Sequence, residues 1–536
     1  MGKTNANFTV YILHSIDMKN SDREVYSILK RDSDTTSLWQ QSAGPLPIAD
    51  IVKPDPDESY DVAIIGGGIT GLTTALLLQE SGLQCVVTES YTLGYGTTGG
   101  TTSHVNTMLD TSYDIIESDF GVDNANLVAT ATKKAIALIS DNVAKYSIDC
   151  GFELKDGYLF AQNEKEEKQL RKILEASIRA GVEVEEVDTI PVPVDFQYAI
   201  VFKNQAQLDP IKYLYGLAEA FASLGGDIVE YNKVQKTEKS GDFHTLICDR
   251  GKLTASKIVY ATHIPPGINI LHLRCAPYRS YVLGVQLEGD YPGDLAYDMK
   301  EPYHYFRSQE VNGKSYLIVG GEDHKTGHSD PAKSFEALEN YVHEHFNVRS
   351  VDYRWSSQFY ESADGLPYIG ALPAADEGVY TATGFSGNGI TWGSFSALLL
   401  ADLLTEEPNI YSELFSPSRI KPIAGFVEFV KENADVAYHF ITDRFNLDVI
   451  ESLTALAPGN GMLISYKDQK LAVYKDDSGK VVALNPVCTH AKCIVSWNAV
   501  ETSWDCPCHG GRFNINGKVI TGPPTMDLQN INIDEL

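Results

Sequence analysis

Two short motifs near the C-terminal end constrain this chain more than any other feature: CTHAKC at 488–493 and CPCHGG at 506–511. A Cys-x-His pair, Cys488 and His490, is answered by a Cys-x-x-His pair, Cys506 and His509. Two thiolates and two imidazoles in this pattern point at a metal, and two readings compete. One is a zinc site with two Cys and two His; the other is a [2Fe-2S] centre in which two His replace two Cys on one iron. Each motif is a tight loop with one further cysteine, Cys493 and Cys508, placed where neighbouring loops could be tied together over a cluster. A zinc finger has no use for that pair. The run Gly522, Pro523 and Pro524 would cover the cluster from the side.

This stretch, about 448–536, resembles the Rieske domain of respiratory cytochrome bc complexes. The resemblance implies that Cys488, His490, Cys506 and His509 are the cluster ligands and that Cys493 and Cys508 form a disulfide. Neutral imidazoles in place of anionic thiolates make the cluster easier to reduce, into roughly the −150 to +300 mV range. The bc-type domains also place a Ser and a Tyr just after the second motif, whose hydroxyls bond cluster sulfur and raise the potential. Here those positions are Gly511 and Phe513. A potential in the lower half of the range is therefore expected, because hydrogen bonds to sulfur are one lever that sets it.

The second constraint lies far upstream. DVAIIGGGITGLTTALLLQESGLQCVVTES, from Asp61, reads as a buried strand, a glycine turn, an amphipathic helix and a second strand ending in an acid. Gly66, Gly68 and Gly71 have the G-x-G-x-x-G spacing that lets backbone approach a pyrophosphate at a helix N-terminus. Glu89 is placed to accept hydrogen bonds from ribose hydroxyls. GYGTTGGTTSHVN at 94–106 is a second run of Gly and hydroxyl residues, including Gly96, Thr97, Thr98, Thr101 and Thr102, suited to a further approach to phosphates and a flavin.

From here the chain resembles the flavin-dependent amine and D-amino-acid oxidase superfamily, glycine oxidase included, over about 60–420. The resemblance implies FAD, with Val234 at the adenine and Ala261 and Thr262 beside the pyrophosphate. It also implies that Gly384, Gly387, Asn388 and Gly389, in the return VYTATGFSGNGITWG, present backbone N–H groups and a helix N-terminus to the flavin pyrimidine ring. Helical spacing over 125–149 and 164–181, and strands at SYVLGVQL and SYLIVGG, suit a second domain roofing the flavin.

Candidates for the substrate are weaker. Arg279 and Arg307 lie among tyrosines, Tyr305 included, and an Arg fork flanked by Tyr could clamp a substrate carboxylate. His104 is read as a packed or hydrogen-bonding His in preference to a covalent flavin link. Asp323, His324 and His328 invite a mononuclear iron site, but the glycine-rich setting reads better as a turn contributing to the flavin pocket.

The expected fold class is α/β plus β: a Rossmann-like FAD-binding domain with a mixed-sheet substrate domain, then a small all-β Rieske domain. The expected boundaries are an extension at 1–57, the flavin domain at 58–420, a connecting helix at 421–447 and the Rieske domain at 448–536. Within the flavin domain, about 58–110, 215–265 and 360–410 bind FAD, and about 111–214 and 270–355 form the substrate part. Little chemistry is legible in the extension, where Met18 could be an alternative start.

The net charge of −29, from 43 Lys plus Arg against 72 Asp plus Glu, excludes a nucleic-acid footprint. No apolar run approaches the ~20 residues of a membrane helix. Cys85, Cys150, Cys248 and Cys275 are scattered in apolar or mixed surroundings, which suits buried thiols in a reducing, cytoplasmic compartment. The expected function is oxidation of a small amine or amino acid at FAD, with electrons leaving singly through the Rieske cluster to an unknown acceptor. The alternatives are a reductase or oxygenase component running electrons from cluster to flavin, and a redox sensor without turnover.

Overall fold

The computed structural model describes residues 31–44, 46, 59–420, 448–449, 456–466 and 469–532. The connecting helix expected at 421–447 and the start of the extension, with Met18, lie outside the described residues.

Ser59–Ile65 is apolar over its last four residues and is buried there on both faces, as a central parallel strand must be. It pairs in parallel with Cys85–Thr88 on one side and Gly251–Tyr260 on the other. The sheet continues to Asp227–Val229 at one edge and through Val379–Thr383 to the antiparallel strand Tyr368–Ala371 at the other. Helix Ile69–Glu80 follows the glycine turn. It is not amphipathic as the sequence reading has it: ten of its twelve residues are buried. Helices Gly389–Leu404 and Pro210–Ser223 pack against it, and a helix covered all round is a core element.

A nine-stranded mixed sheet forms the second layer. SYVLGVQL falls in strand Cys275–Leu287 and SYLIVGG in Lys314–Lys325, which pair antiparallel. The helices read at 125–149 and 164–181 are Val122–Tyr146 and Glu164–Arg179. Asn163 caps the second by accepting the N–H groups of Lys165 and Glu166, and acids in its first turn match the helix dipole.

The C-terminal domain consists of two four-stranded sheets. Asn460–Tyr466, Gln469–Lys475 and Val481–Leu484 form an antiparallel run, with Asp448–Val449 added in parallel. Ser496–Asn498, Ser503–Asp505, Arg512–Asn514 and Val519–Thr521 form the other. Its core gathers Val495, Trp504 and Phe513 around the loops that carry the metal-ligating motifs.

The described part of the extension is built into the molecule. Ser37 caps the short helix Leu38–Ser42, Trp39 donates its indole N–H to Thr101 O at 2.7 Å, and Gln40 donates to Gly94 O at 3.1 Å. The segment thus holds both ends of the Gly/Thr run. No helix among the described residues is long and apolar enough to cross a membrane. Cys85, Cys150, Cys248 and Cys275 are buried free thiols, and burial pushes each up to about 12.

Candidate functional site

A cavity of about 570 Å³ opens where the two large sheets meet. Gly66, Gly68, Glu89, Gly96, Thr97, Thr98, Thr101 and Thr102 line it, as do Val234, Ala261, Thr262, Gly387, Asn388 and Gly389. Gly71 and Gly384, read as cofactor contacts, are not among the lining residues. A Cβ on Gly71 would fall 2.0 Å from Gly66 O, so this glycine serves the close packing of turn on helix. Gly384 sits at φ +77, where a Cβ would meet Ser362 at 3.1 Å. Two helices, Ile69–Glu80 and Gly389–Leu404, aim N-termini without a side-chain cap at this cavity. Ile69 N–H donates to Thr98 Oγ1 at 3.1 Å; the other first-turn N–H groups and the positive ends of two dipoles suit a pyrophosphate at one and a ring that gains negative charge at the other. The residues present therefore fit FAD.

Glu89 accepts from Gly67 N–H at 2.7 Å and Tyr91 N–H at 3.0 Å. Burial raises its carboxyl pKa above the usual range, and both oxygens keep acceptor capacity for ribose hydroxyls. At the other end the N–H of Gly387 donates to Asp110 Oδ2 at 2.5 Å, while Asn388 Oδ1 accepts from Asp110 N–H at 2.9 Å. The Gly387 N–H, expected at the flavin, is thus committed to a side chain that nothing in its local sequence singles out.

The arginine clamp is not formed. Arg307 lies fully buried and donates from Nη1 to three carbonyls, Thr102 O at 2.8 Å, Ser103 O at 2.9 Å and Leu208 O at 3.0 Å. Its guanidinium packs over Trp39, and burial lowers its pKa to about 9. It pins the Gly/Thr run from behind. Arg279 points the opposite way, donating to Ser356 Oγ at 2.5 Å and approaching Glu501 of the C-terminal domain at 3.5 Å. Neither lines the cavity; of the three clamp candidates only Tyr305 does, its hydroxyl 2.7 Å from Ser280 Oγ.

Asp323 also lines the cavity, at the end of a strand. His324 turns away to Tyr281 Oη at 2.8 Å, so these two side chains do not converge on a metal. His104 lines the cavity with both ring nitrogens engaged, by Thr102 Oγ1 at 3.0 Å and Phe306 O at 3.4 Å. Burial lowers its pKa to about 3, which keeps the ring neutral.

In the C-terminal domain, Cys493 and Cys508 form a disulfide. Cys506 Sγ lies with both bridged sulfurs inside 4.8 Å, but bridged sulfurs offer no thiolate. The available pair is Cys506 and Cys488, whose thiols share a hydrogen bond. The rings of His490 and His509 meet edge to face at 4.9 Å, and Nδ1 of each is buried with no hydrogen-bond partner among the described residues. Two adjacent thiols and two orphaned imidazole nitrogens are the donor set a [2Fe-2S] centre of this type requires, so the residues fit the cluster. The outer nitrogen of His490 reaches Gly267 O at 3.0 Å and His272 Nδ1 at 3.2 Å. His272 stands between Pro265 O and the ligand, a supporting contact of the kind that fixes ring orientation. Nothing in the run ILHL could have revealed it.

A Cβ on Gly511 would fall 2.8 Å from Pro524, and Phe513 is fully buried. No hydroxyl stands at either position to stabilise the reduced cluster. We expect a midpoint below about +75 mV, the lower half of the Rieske range, in an EPR-monitored titration; a value near the top would contradict this account of the two positions.

The seam between the domains is a buried charge network. Arg512 donates from Nε to Asp505 Oδ1 at 3.0 Å, from Nη2 to Ser503 Oγ at 3.0 Å and from Nη1 to the carbonyl of Asp32. Asp32 pairs with Arg31 at 3.2 Å, Arg31 donates to Ser356 O, and Ser356 donates to Glu501. Burial opposes the charge of Asp32, Asp505 and Arg512, yet their partners outweigh it: both acids are held below the usual carboxylate range and Arg512 above its ordinary value. Val519, Ile520, Thr521, Gly522, Pro524 and Thr525 of the C-terminal domain complete the wall of the FAD cavity.

A family model described as FAD dependent oxidoreductase matches residues 61–403, and one described as Rieske [2Fe-2S] domain matches 449–532. YhfW of Bacillus subtilis (strain 168), which bears the name of a Rieske 2Fe-2S iron-sulfur protein, is 32% identical over 481 residues, 89% of this chain and 94% of its own. Gamma-glutamylputrescine oxidoreductase of Escherichia coli (strain K12) is 25% identical over 415 residues, 72% of this chain and 93% of its own. The crystal structure of glycine oxidase from Geobacillus kaustophilus superimposes with a TM-score of 0.57 at 19% identity, covering 68% of this chain and 99% of that one. Glycine turn, paired helix N-termini, Cys/His loops and these matches agree: the chain belongs to the FAD dependent oxidoreductase family and carries a C-terminal Rieske [2Fe-2S] domain.

Proposed function

We propose that the protein is a dehydrogenase that oxidises a small amine or amino acid and passes the electrons singly through the Rieske domain to an acceptor, in a reducing cytoplasmic compartment. FAD supplies two-electron acceptance from a C–H bond beside nitrogen with one-electron release, and the [2Fe-2S] cluster supplies one-electron carriage. The amine loses a hydride from carbon and a proton from nitrogen to give an imine; water adds, the C–N bond breaks, and a carbonyl compound and an amine or ammonia leave.

The observation that carries this reading is a shared wall. Gly267 lines the FAD cavity, and its carbonyl lies 3.0 Å from the outer nitrogen of His490. His263 lines the same cavity and meets Tyr360 edge to face at 4.7 Å, and Tyr360 donates to His509 O at 3.1 Å. In this reading Cys488, His490, Cys506 and His509 hold the cluster. Gly66, Gly68 and the helix behind them hold the pyrophosphate, Glu89 the ribose, and the loop ending at Gly389 the reactive ring. Residues 263–267 and 358–360 exclude water between the two sites, and substrate orientation does the remaining catalytic work.

Anaerobic mixing of the holoprotein with a panel of amines and amino acids tests the reading. Flavin absorbance is expected to bleach first, with the EPR signal of a reduced Rieske centre following. Reduction of the cluster ahead of the flavin would reverse the direction, and no flavin reduction across the panel would leave a redox sensor.

A further inference from the structure

Resting on the reading of the cavity as the flavin and substrate site, we propose that the substrate is a cationic amine lacking a carboxylate, received by Asp110 and Asp323 between the rings of Tyr297, Tyr303 and Tyr305. All five residues line the cavity. They gather at the N-terminus of helix Gly389–Leu404. A methyl on Gly387 would fall 2.8 Å from Asp110 Oδ2 and 3.1 Å from Tyr303 Oη, which puts that carboxylate and hydroxyl side by side. Tyr303 and Tyr305 form a corner, with ring centroids 5.6 Å apart and planes at 43°.

Two further observations point to a cation. Asp323 shares Ser280 with Tyr305, yet its Oδ1 is buried without a hydrogen-bond partner among the described residues. An orphaned carboxylate oxygen inside a cavity is costly, and an ammonium ligand offsets that cost by charge and hydrogen bond together. The described lining residues also include no cation at this end: the lysines on the wall, Lys233 and Lys236, flank Val234 at the end assigned to adenine. Neither Arg279 nor Arg307 lines the cavity, so a substrate carboxylate there would meet two acids and no cation. Burial, with repulsion from Asp110, pushes Asp323 up to about 8, and a bound ammonium would bring it back down. Aromatic faces add attraction for the same ligand.

The test uses the holoprotein and pairs that differ only by the carboxylate: butylamine against norvaline, and phenethylamine against phenylalanine. The amines are expected to reduce the flavin with a kcat/KM roughly 30-fold or more above their amino acids, the scale of an unpaired buried charge. Asp323→Asn is expected to raise KM for the amines far more than it lowers kcat. Tetramethylammonium, which cannot be oxidised, is expected to perturb the flavin spectrum and raise Tm in the parent protein and to do neither in Asp323→Asn. Faster reduction by the amino acids overturns the inference and leaves the oxidoreductase reading standing. No flavin reduction by either set sinks both, and an undiminished tetramethylammonium response in the variant removes Asp323 from the site.

Discussion

Arg512→Met is expected to lower unfolding stability by about 3–5 kcal/mol, the cost of leaving buried charges without their partner. The arginine is fully buried and joins Asp505 of its own domain to Asp32 of the N-terminal segment. Its loss leaves Asp505 without its ion-pair partner and takes one of two cations from Asp32, which keeps Arg31 at 3.2 Å. Urea denaturation measures the cost, and the double variant with Asp505→Asn should recover part of it, because it removes the charge left unpaired. The same substitution is expected to loosen the Rieske domain, so that the proposed transfer from flavin to cluster slows while each cofactor stays bound. A variant as stable as the parent would show that the seam is held by other contacts. The network also has a pH signature. Asp32 and Asp505 have folded-state pKa values below their unfolded ones, so their contribution is present above about pH 4 and is lost as pH falls below it.

Gly66→Ala is expected to yield protein with its cluster and almost without flavin. Gly66 sits at φ +115, and a Cβ there would fall 2.4 Å from the carbonyl oxygen of Ala261. The turn must move away from the strand end that carries Ala261 and Thr262, taking the helix N-terminus with it. FAD content, read after denaturation, is expected to fall by about tenfold or more, equivalent to at least 1.4 kcal/mol of binding. Dithionite should still raise the Rieske EPR signal, since all four cluster ligands belong to the C-terminal loops at 488–493 and 506–511. Normal FAD content would mean that the phosphate cradle tolerates a side chain and that the glycine serves another purpose.

The parts of this protein that were legible in the sequence are those whose chemistry is local. The Cys/His loops carry their ligands within a few residues of each other, and the glycine turn is bracketed by its own strands and helix. Helix Ile69–Glu80 misled because an apolar run with interspersed Thr and Gln looks one-sided until Gly389–Leu404 is laid on its other face. The clamp failed for a related reason. An arginine among tyrosines has the same local pattern whether it faces a ligand or a distant domain, and the partner of Arg279 is Glu501. Asp32 and Arg512, which meet across the seam, are 480 positions apart, so the extension gave no sign of its role. Asp110 was silent because it is a single acid in a loop; only the fold brings it to Gly387.

We propose that the cluster receives electrons from the flavin of the same chain across a fixed seam. Anaerobic rapid freeze-quench after mixing with a reducing substrate, at two protein concentrations, measures it directly. The reduced-Rieske signal should rise after the flavin bleaches, with a rate the same at both concentrations. A rate that scales with protein concentration, or a cluster signal that precedes bleaching, would contradict it.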